Sequence, residues 1–372
     1  MSVQVYLVPG FFGFTQLGGL RYFHRVADVL GAELARLGHP AEIVEVDTKA
    51  TSSIRRRALA LCQDVEAHGG LEHDRLHFVG HSTGGLDVRL ALTPGVQLDP
   101  GPIEDEVAAR TRSAISLSTP HFGTPLANVA SSLQGRNLLY LLTLMATSKA
   151  GRAGISRVAR MLAALARFDD RFGLKDTLLD DFTNRLLDDL GRDERHALFD
   201  QLSEVRSDQG AMVQLTPEAI DLFNAAVPDR EGVAYASYVT AAPKPRRPRL
   251  SRDVYSAFSR LLYTASYTLA SKEHRHYPYP SPAHALASEI RRALPFELDA
   301  GTNDGIVPTL SQVWAELGGV VVGDHLDVVG QYPHAHGGAR FSGWMDSGAG
   351  FDDARFETLW RSIAARIAAA NG

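Results

Sequence analysis

Six residues constrain this chain more than any others. The run Leu76-His77-Phe78-Val79 is apolar and β-rich, it enters Gly80-His81-Ser82-Thr83-Gly84-Gly85 without a spacer, and a helical pattern (Leu86, Val88, Leu90, Leu92) begins at once. A strand that turns straight into a helix crowds backbone against backbone, and only glycine fits there. A G-x-S-x-G sequence in that setting puts the serine at the tip of a strained turn with its hydroxyl facing outward. Chance matches are easy in a chain with 33 glycines, but the strand before and the helix after are what the motif requires. Ser82 is the candidate nucleophile.

The rest of the chain fits around that turn. Residues 3–8, 43–46, 76–79 and 114–117 read as strands, with helical spacing over 22–37 and 54–67 between them. Strands alternating with helices predict crossover connections and a mainly parallel central sheet with helices on both faces, an α/β fold. From 126 to about 228 the strand signal vanishes and helical patterns follow one another, at 138–148, 155–168, 177–190, 194–205 and 217–226. This stretch reads as an inserted helical cap. Strand character returns at 233–239 and 319–322, and 354–370 reads as a closing amphipathic helix. The expected organisation is a core at 1–125, a cap or lid at 126–228, and the rest of the core at 229–372, with a variable loop insertion around 241–295.

Composition excludes several functions. With 38 basic and 43 acidic residues the formal charge is −5, so no overall field draws the chain to nucleic acid. The single Cys62 forms no internal disulfide and suits a reducing compartment. The N-terminus lacks a basic start and apolar h-region, and no stretch approaches the ~20 apolar residues of a membrane span. The expectation is a cytoplasmic protein, or a secreted one if a leader has been removed.

A serine hydroxyl needs a base, and the base needs a carboxylate to hold its tautomer. Downstream, Gly301-Thr302-Asn303-Asp304-Gly305 presents one acid among turn formers, and Gly323-Asp324-His325-Leu326 follows the last expected strand. Asp304 and His325 are the candidate acid and base. His334, His336, Asp299, Asp324 and Asp327 compete, and His325 is preferred because it sits where the final strand ends. Two N–H donors must hold the negative charge that develops on the substrate oxygen. Thr83, after the nucleophile, supplies one, and Phe11 in the loop Val8-Pro9-Gly10-Phe11-Phe12-Gly13-Phe14 is the candidate for the other. The aromatics of that loop suit an acyl-binding cleft.

At these separated sites the chain resembles bacterial triacylglycerol lipases and related esterases of the α/β-hydrolase superfamily. The loop Pro9–Phe14 is similar to the family's oxyanion loop, with Pro9 where a histidine is usual, and the serine turn matches fully. Ser118-Thr119-Pro120-His121-Phe122-Gly123-Thr124-Pro125 resembles the family's strand-end motif beside the active site, and Asn303-Asp304-Gly305 and Asp324-His325-Leu326-Asp327 its acid and base motifs. The resemblance implies an α/β-hydrolase fold and a carboxylic-ester hydrolase with catalytic Ser82, Asp304 and His325, an oxyanion hole from Phe11 and Thr83, and substrate contacts from Phe12 and His121. No cofactor is expected. The family often carries a structural calcium. Asp327 and Gln331 match two of its ligands, but the second carboxylate is missing, so no residue is assigned to a metal. The expected substrate is a small-molecule or lipid ester.

Other readings stay open at this point. The same triad serves acyltransferases and thioesterases, and the scaffold without catalysis could hold an apolar ligand. Residues 155–168 place Ile155, Val158, Met161, Leu162, Leu165 and Phe168 on one helical face, away from Arg157, Arg160 and Arg167. Such a helix is either part of a fixed cap or a lid that touches a lipid surface transiently.

Overall fold

The computed structural model describes residues 2–11, 16–17, 20–48, 51–99, 101–131, 210–245, 254–273, 279–336, 339–341 and 345–371. Six strands form one sheet: β1 (Val3–Val8), β2 (Glu42–Glu45), β3 (Arg75–His81), β4 (Thr111–Leu117), β5 (Ala234–Ala241) and β6 (Glu316–Val322), in the order β2-β1-β3-β4-β5-β6. Every pairing among them is parallel. The helices used below are α1 (Val26–Arg36), α2 (Ile54–Ala67), α3 (Gly84–Leu92), α4 (Ile103–Arg110), α5 (Pro217–Ala226), α6 (Val254–Glu273), α7 (Ser281–Ala293) and α8 (Asp353–Ala370).

A strand's side chains alternate between faces, and β1 uses both. Val5 and Leu7 join Val26, Leu30 and Leu34 of α1 and Phe356, Trp360, Ile363 and Ile367 of α8 on one side. Tyr6 and Val8 join Ala58, Leu61 and Val65 of α2, Val88, Ala91 and Leu92 of α3, and Val107 of α4 on the other. All six β1 residues are buried, which is why this strand is apolar on both faces apart from Gln4. Helix α8 also reaches the loop after β6, where the Trp360 indole Nε1 donates to the Val328 carbonyl at 3.0 Å.

Helix α1 starts at Val26, four residues later than its spacing suggests. Arg25 sits in left-handed backbone at φ 63° and its guanidinium pairs with Asp353 at 2.6 Å, so residues 22–25 lead into the helix without belonging to it. Helix α5 matches its expected bounds, with Thr216 capping it by accepting from the Ala219 N–H. The helices expected at 138–148, 155–168, 177–190 and 194–205, and with them any lid, lie outside the described residues. The stretch 241–295, read as a variable loop insertion, holds α6 and α7. Pro282 in the first turn of α7 hid that helix, since proline is tolerated there but reads as a breaker. Among the described residues no helix is long and apolar enough to cross a membrane.

In a parallel sheet the C-terminal ends of all strands lie along one edge, where ligands bind. The loops carrying Gly10, Ser82 and His325 follow β1, β3 and β6 at that edge, and Thr240 lies at the end of β5 there.

Candidate active site

Between β3 and α3 the chain reverses so sharply that Ser82 takes φ 54°, a left-handed conformation that side chains other than glycine rarely adopt. The glycines around it are obligatory. A Cβ on Gly80 would lie 2.5 Å from the Gly85 nitrogen, and one on Gly84 would lie 2.3 Å from the Val8 carbonyl oxygen. The Ser82 N–H donates to Leu117 O at 2.9 Å, tying the turn to β4. Thr83 stands at the N-terminus of α3, where the first N–H groups have no partner within the helix.

Asp304 and His325 are brought together. The His325 Nδ1 lies 2.8 Å from Asp304 Oδ2, and the His325 backbone N–H donates to the Asp304 carbonyl at 2.9 Å. Asp304 is fully buried and surrounded by donors. Its Oδ1 accepts from the N–H groups of Ile306 and Val307 at 2.9 and 2.8 Å, and its Oδ2 accepts also from Thr240 Oγ1 at 2.7 Å and Gln312 Nε2 at 3.2 Å. A carboxylate at Nδ1 places the imidazole proton there and leaves Nε2 as the acceptor. Thr240 and Gln312 were not singled out from sequence, because their spacing to Asp304 has meaning only once β5 is paired.

The competing residues do other work. Asp299 turns its carboxylate to Gly301 N and Thr302 Oγ1, both at 3.0 Å. Asp324 and Asp327 cap each other's turn: Asp324 Oδ1 accepts from the N–H of Asp327 at 3.2 Å and Asp327 Oδ2 from the N–H of Asp324 at 2.8 Å, reciprocally, as in a capping box. Burial pushes the Asp324 carboxyl up to about 7, and burial together with Asp324 holds Asp327 well above the ordinary range. The side chains of His334 and His336 lie outside the described residues.

The loop after β1 lies against the serine. A Cβ on Gly10 would fall 2.6 Å from Ser82 Cβ and 3.1 Å from its Oγ. The Gly10 peptide groups are held from two sides. Its N–H donates to the Tyr22 hydroxyl at 2.8 Å, so Gly10 is not a candidate oxyanion donor. Its carbonyl accepts from Arg57 Nη2 at 3.1 Å, which also reaches Pro9 O at 2.8 Å. No peptide here is cis, and in a planar trans peptide the N–H points opposite to the carbonyl. Arg57 on one side thus turns the Phe11 N–H toward the other. Arg57 is itself fixed by Asp87 of α3, at 2.8 Å with both side chains wholly buried. Burial raises the Asp87 carboxyl to about 6, against the pull of Arg57. Phe11 packs beside Leu86, Leu215 and Ile220, and Phe12 lies outside the described residues.

His121, expected to contact substrate, has its ring turned into the protein interior. It is fully buried, with Nε2 2.9 Å from Ser116 Oγ and Nδ1 3.3 Å from Arg89 Nη1. Its ring stacks on Trp314 at 5.4 Å, and burial holds it well below the ordinary histidine range. The motif that suggested it puts Ser118, at φ 53°, at the strand end instead, where its Oγ is 2.9 Å from Thr240 Oγ1.

Asp327 and Gln331, the two residues that match calcium ligands in the resemblance, make other contacts. The Asp327 carboxylate serves the Asp324 N–H, and the Gln331 amide nitrogen donates to Arg21 O at 2.6 Å. Among the described residues no three His, Cys, Asp or Glu side chains cluster as metal ligands, whereas a hard cation takes ~6–8 oxygens.

No family model matches the chain, and no curated protein sequence does. Solved structures match in fold. EstA from Clostridium botulinum superposes with a TM-score of 0.54 at 18% identity, covering 99% of this chain and 87% of that one. Staphylococcus hyicus lipase gives 0.54 at 16% identity over 100% and 96%, and lipase 1 from Pelosinus fermentans 0.50 at 17% identity over 98% of both. The fold is that of the α/β-hydrolases, as the resemblance implied.

Proposed function

We propose that this protein is a carboxylic-ester hydrolase of the lipase and esterase kind, acting through a serine acyl-enzyme. The observation that carries the reading is the Asp304–His325 pair at the same sheet edge as the strained Ser82, with Gly10 backbone packed on the serine side chain. Ser82 Oγ attacks the ester carbonyl carbon and its proton passes to His325 Nε2. The carbon–oxygen bond to the alcohol breaks, and the alcohol leaves with that proton. Water then attacks the acyl-enzyme, gives a proton to His325, and the acid is released as Ser82 Oγ regains a proton. Asp304 holds the tautomer and faces the imidazolium. The Phe11 and Thr83 N–H groups receive the oxyanion.

The substrate class is an ester with an apolar acyl chain, in keeping with the lipases that share the fold. Ser82→Ala is expected to lower hydrolysis of a nitrophenyl ester by ~10⁴-fold or more and to abolish labelling by a fluorophosphonate. Wild-type activity in that variant would overturn the assignment.

A further inference from the structure

His81 stands directly before the serine, is fully buried, and has both ring nitrogens engaged. Its Nε2 lies 2.8 Å from the backbone carbonyl oxygen of His325, and its Nδ1 lies 2.7 Å from the Tyr22 hydroxyl. A carbonyl can only accept, so the ring proton is on Nε2. A neutral imidazole then has a bare Nδ1, which must accept from Tyr22. The other end agrees. The Tyr22 oxygen already accepts from the Gly10 N–H at 2.8 Å, which leaves its single hydrogen for His81. Every proton along Gly10 N–H, Tyr22 O–H and His81 Nε2–H is therefore placed, and the chain of bonds runs from the backbone of the oxyanion loop to the backbone of the base loop.

We infer that Tyr22 and His81 form a positioning relay that registers the oxyanion loop against His325 and withholds His81 as a competing base. The inference rests on the ester-hydrolase reading of Ser82 and His325. Two imidazoles lie side by side here, their ring centroids 4.7 Å apart, and one of them is the neighbour of the nucleophile in the chain. Either could in principle take the serine proton. His81 has no lone pair to offer, since Nδ1 is filled by Tyr22 and Nε2 carries its proton toward a carbonyl. Burial, and the nearby His325, further disfavour a charge on His81. The proton is left a single destination, and the same two side chains set the distance between the group that accepts it and the loop that holds the oxyanion.

Tyr22→Phe removes one oxygen and leaves both the Gly10 N–H and His81 Nδ1 without their partner. The expected result is a fall in kcat of ~10-fold with KM within ~2-fold, because the loss falls on groups that act in the transition state. Imidazole ¹⁵N spectra should report His81 as a pure Nε2–H tautomer in the wild type and a tautomer mixture in Tyr22→Phe. His81→Gln, whose amide can still donate to the His325 carbonyl, should keep several-fold more kcat than His81→Ala, and this pair carries the test should Tyr22→Phe fold poorly. Tyr6→Phe, which loses a buried hydroxyl bond to Gln4 in the body of β1, is the control and should keep wild-type kcat. The relay is overturned if Tyr22→Phe retains kcat within ~2-fold, or if His81→Gln is no better than His81→Ala. A wild type labelled at Ser82 beside an unaffected Tyr22→Phe removes the relay alone. A wild type that neither hydrolyses the ester nor takes the label removes the ester-hydrolase reading and the relay with it.

Discussion

Three carboxyl groups lie around His325, all almost wholly buried, and they are built in opposite ways. Asp304 faces an imidazole, a threonine hydroxyl, a glutamine amide and two backbone N–H groups. Asp324 and Asp327 face one another's turn and accept from its backbone N–H groups, Asp324 also from the Ser347 side chain. The first arrangement surrounds the carboxyl with hydrogen-bonding partners on both oxygens. The second leaves charge uncompensated, and burial drives both carboxyls toward the protonated form. Depth alone therefore does not decide what a buried acid does. The donors around it decide, and in this molecule they separate an acid that can face an imidazolium from a pair that shapes the turn on which the imidazole stands.

The contrast can be broken most severely at Asp304. Asp304→Asn keeps the shape but offers an amide N–H to His325 Nδ1, favouring the wrong tautomer. A fall in kcat of ~10⁴-fold with folding intact is expected, measured by ester hydrolysis alongside circular dichroism. Asp87 sharpens the comparison as a buried acid that has a cation. Asp87→Ala strands the Arg57 guanidinium and should cost ~3–5 kcal/mol in urea unfolding, whereas a loss within experimental error would mean that water or a shifted backbone replaces the carboxylate.

Asp324→Asn should have the smallest effect on rate, and its signature is in pH. The Asp324 carboxyl is raised from 3.8 to about 7 in the fold, so folding favours its protonated form. That stabilisation is complete below pH ~4 and is lost as pH climbs to ~7. The asparagine variant lacks this loss, so its Tm relative to wild type should rise between pH 4 and 8 while kcat stays within ~3-fold. A constant Tm difference across that range would show that Asp324 ionises as freely in the folded chain as in the unfolded one.

Much of this was legible in the chain itself, for identifiable reasons. The strands of a sheet covered on both faces are continuous apolar runs, and the serine turn is local, so residues 80–85 carry their geometry in six letters. Asp304 and His325 could be found because each follows its own turn signals. The side chains that hold the candidate site together are of another kind. Arg57 reads as one of three consecutive arginines on α2, and only the packing of α2 on α3 brings it to Asp87 and the loop carbonyls. Tyr22 was read as the start of a helix, because nothing in the spacing announces that Arg25 turns left-handed and frees the preceding residues to face His81. His121 shows the same limit: its motif is at the strand end, and the ring turns inward to Ser116 and Arg89. Contacts between residues far apart in sequence leave no periodicity to read.

The bond from Trp360 to Val328 has a meaning beyond packing. Val328 follows His325 by three residues and belongs to the turn that Asp324 and Asp327 close, so the last helix is bolted to the loop that presents the base. Through that bond the seating of helix α8 bears on the orientation of the imidazole. Because Phe356, Trp360, Ile363 and Ile367 of the same helix pack against β1, loosening of α8 would unsettle the His325 turn and one face of the sheet together.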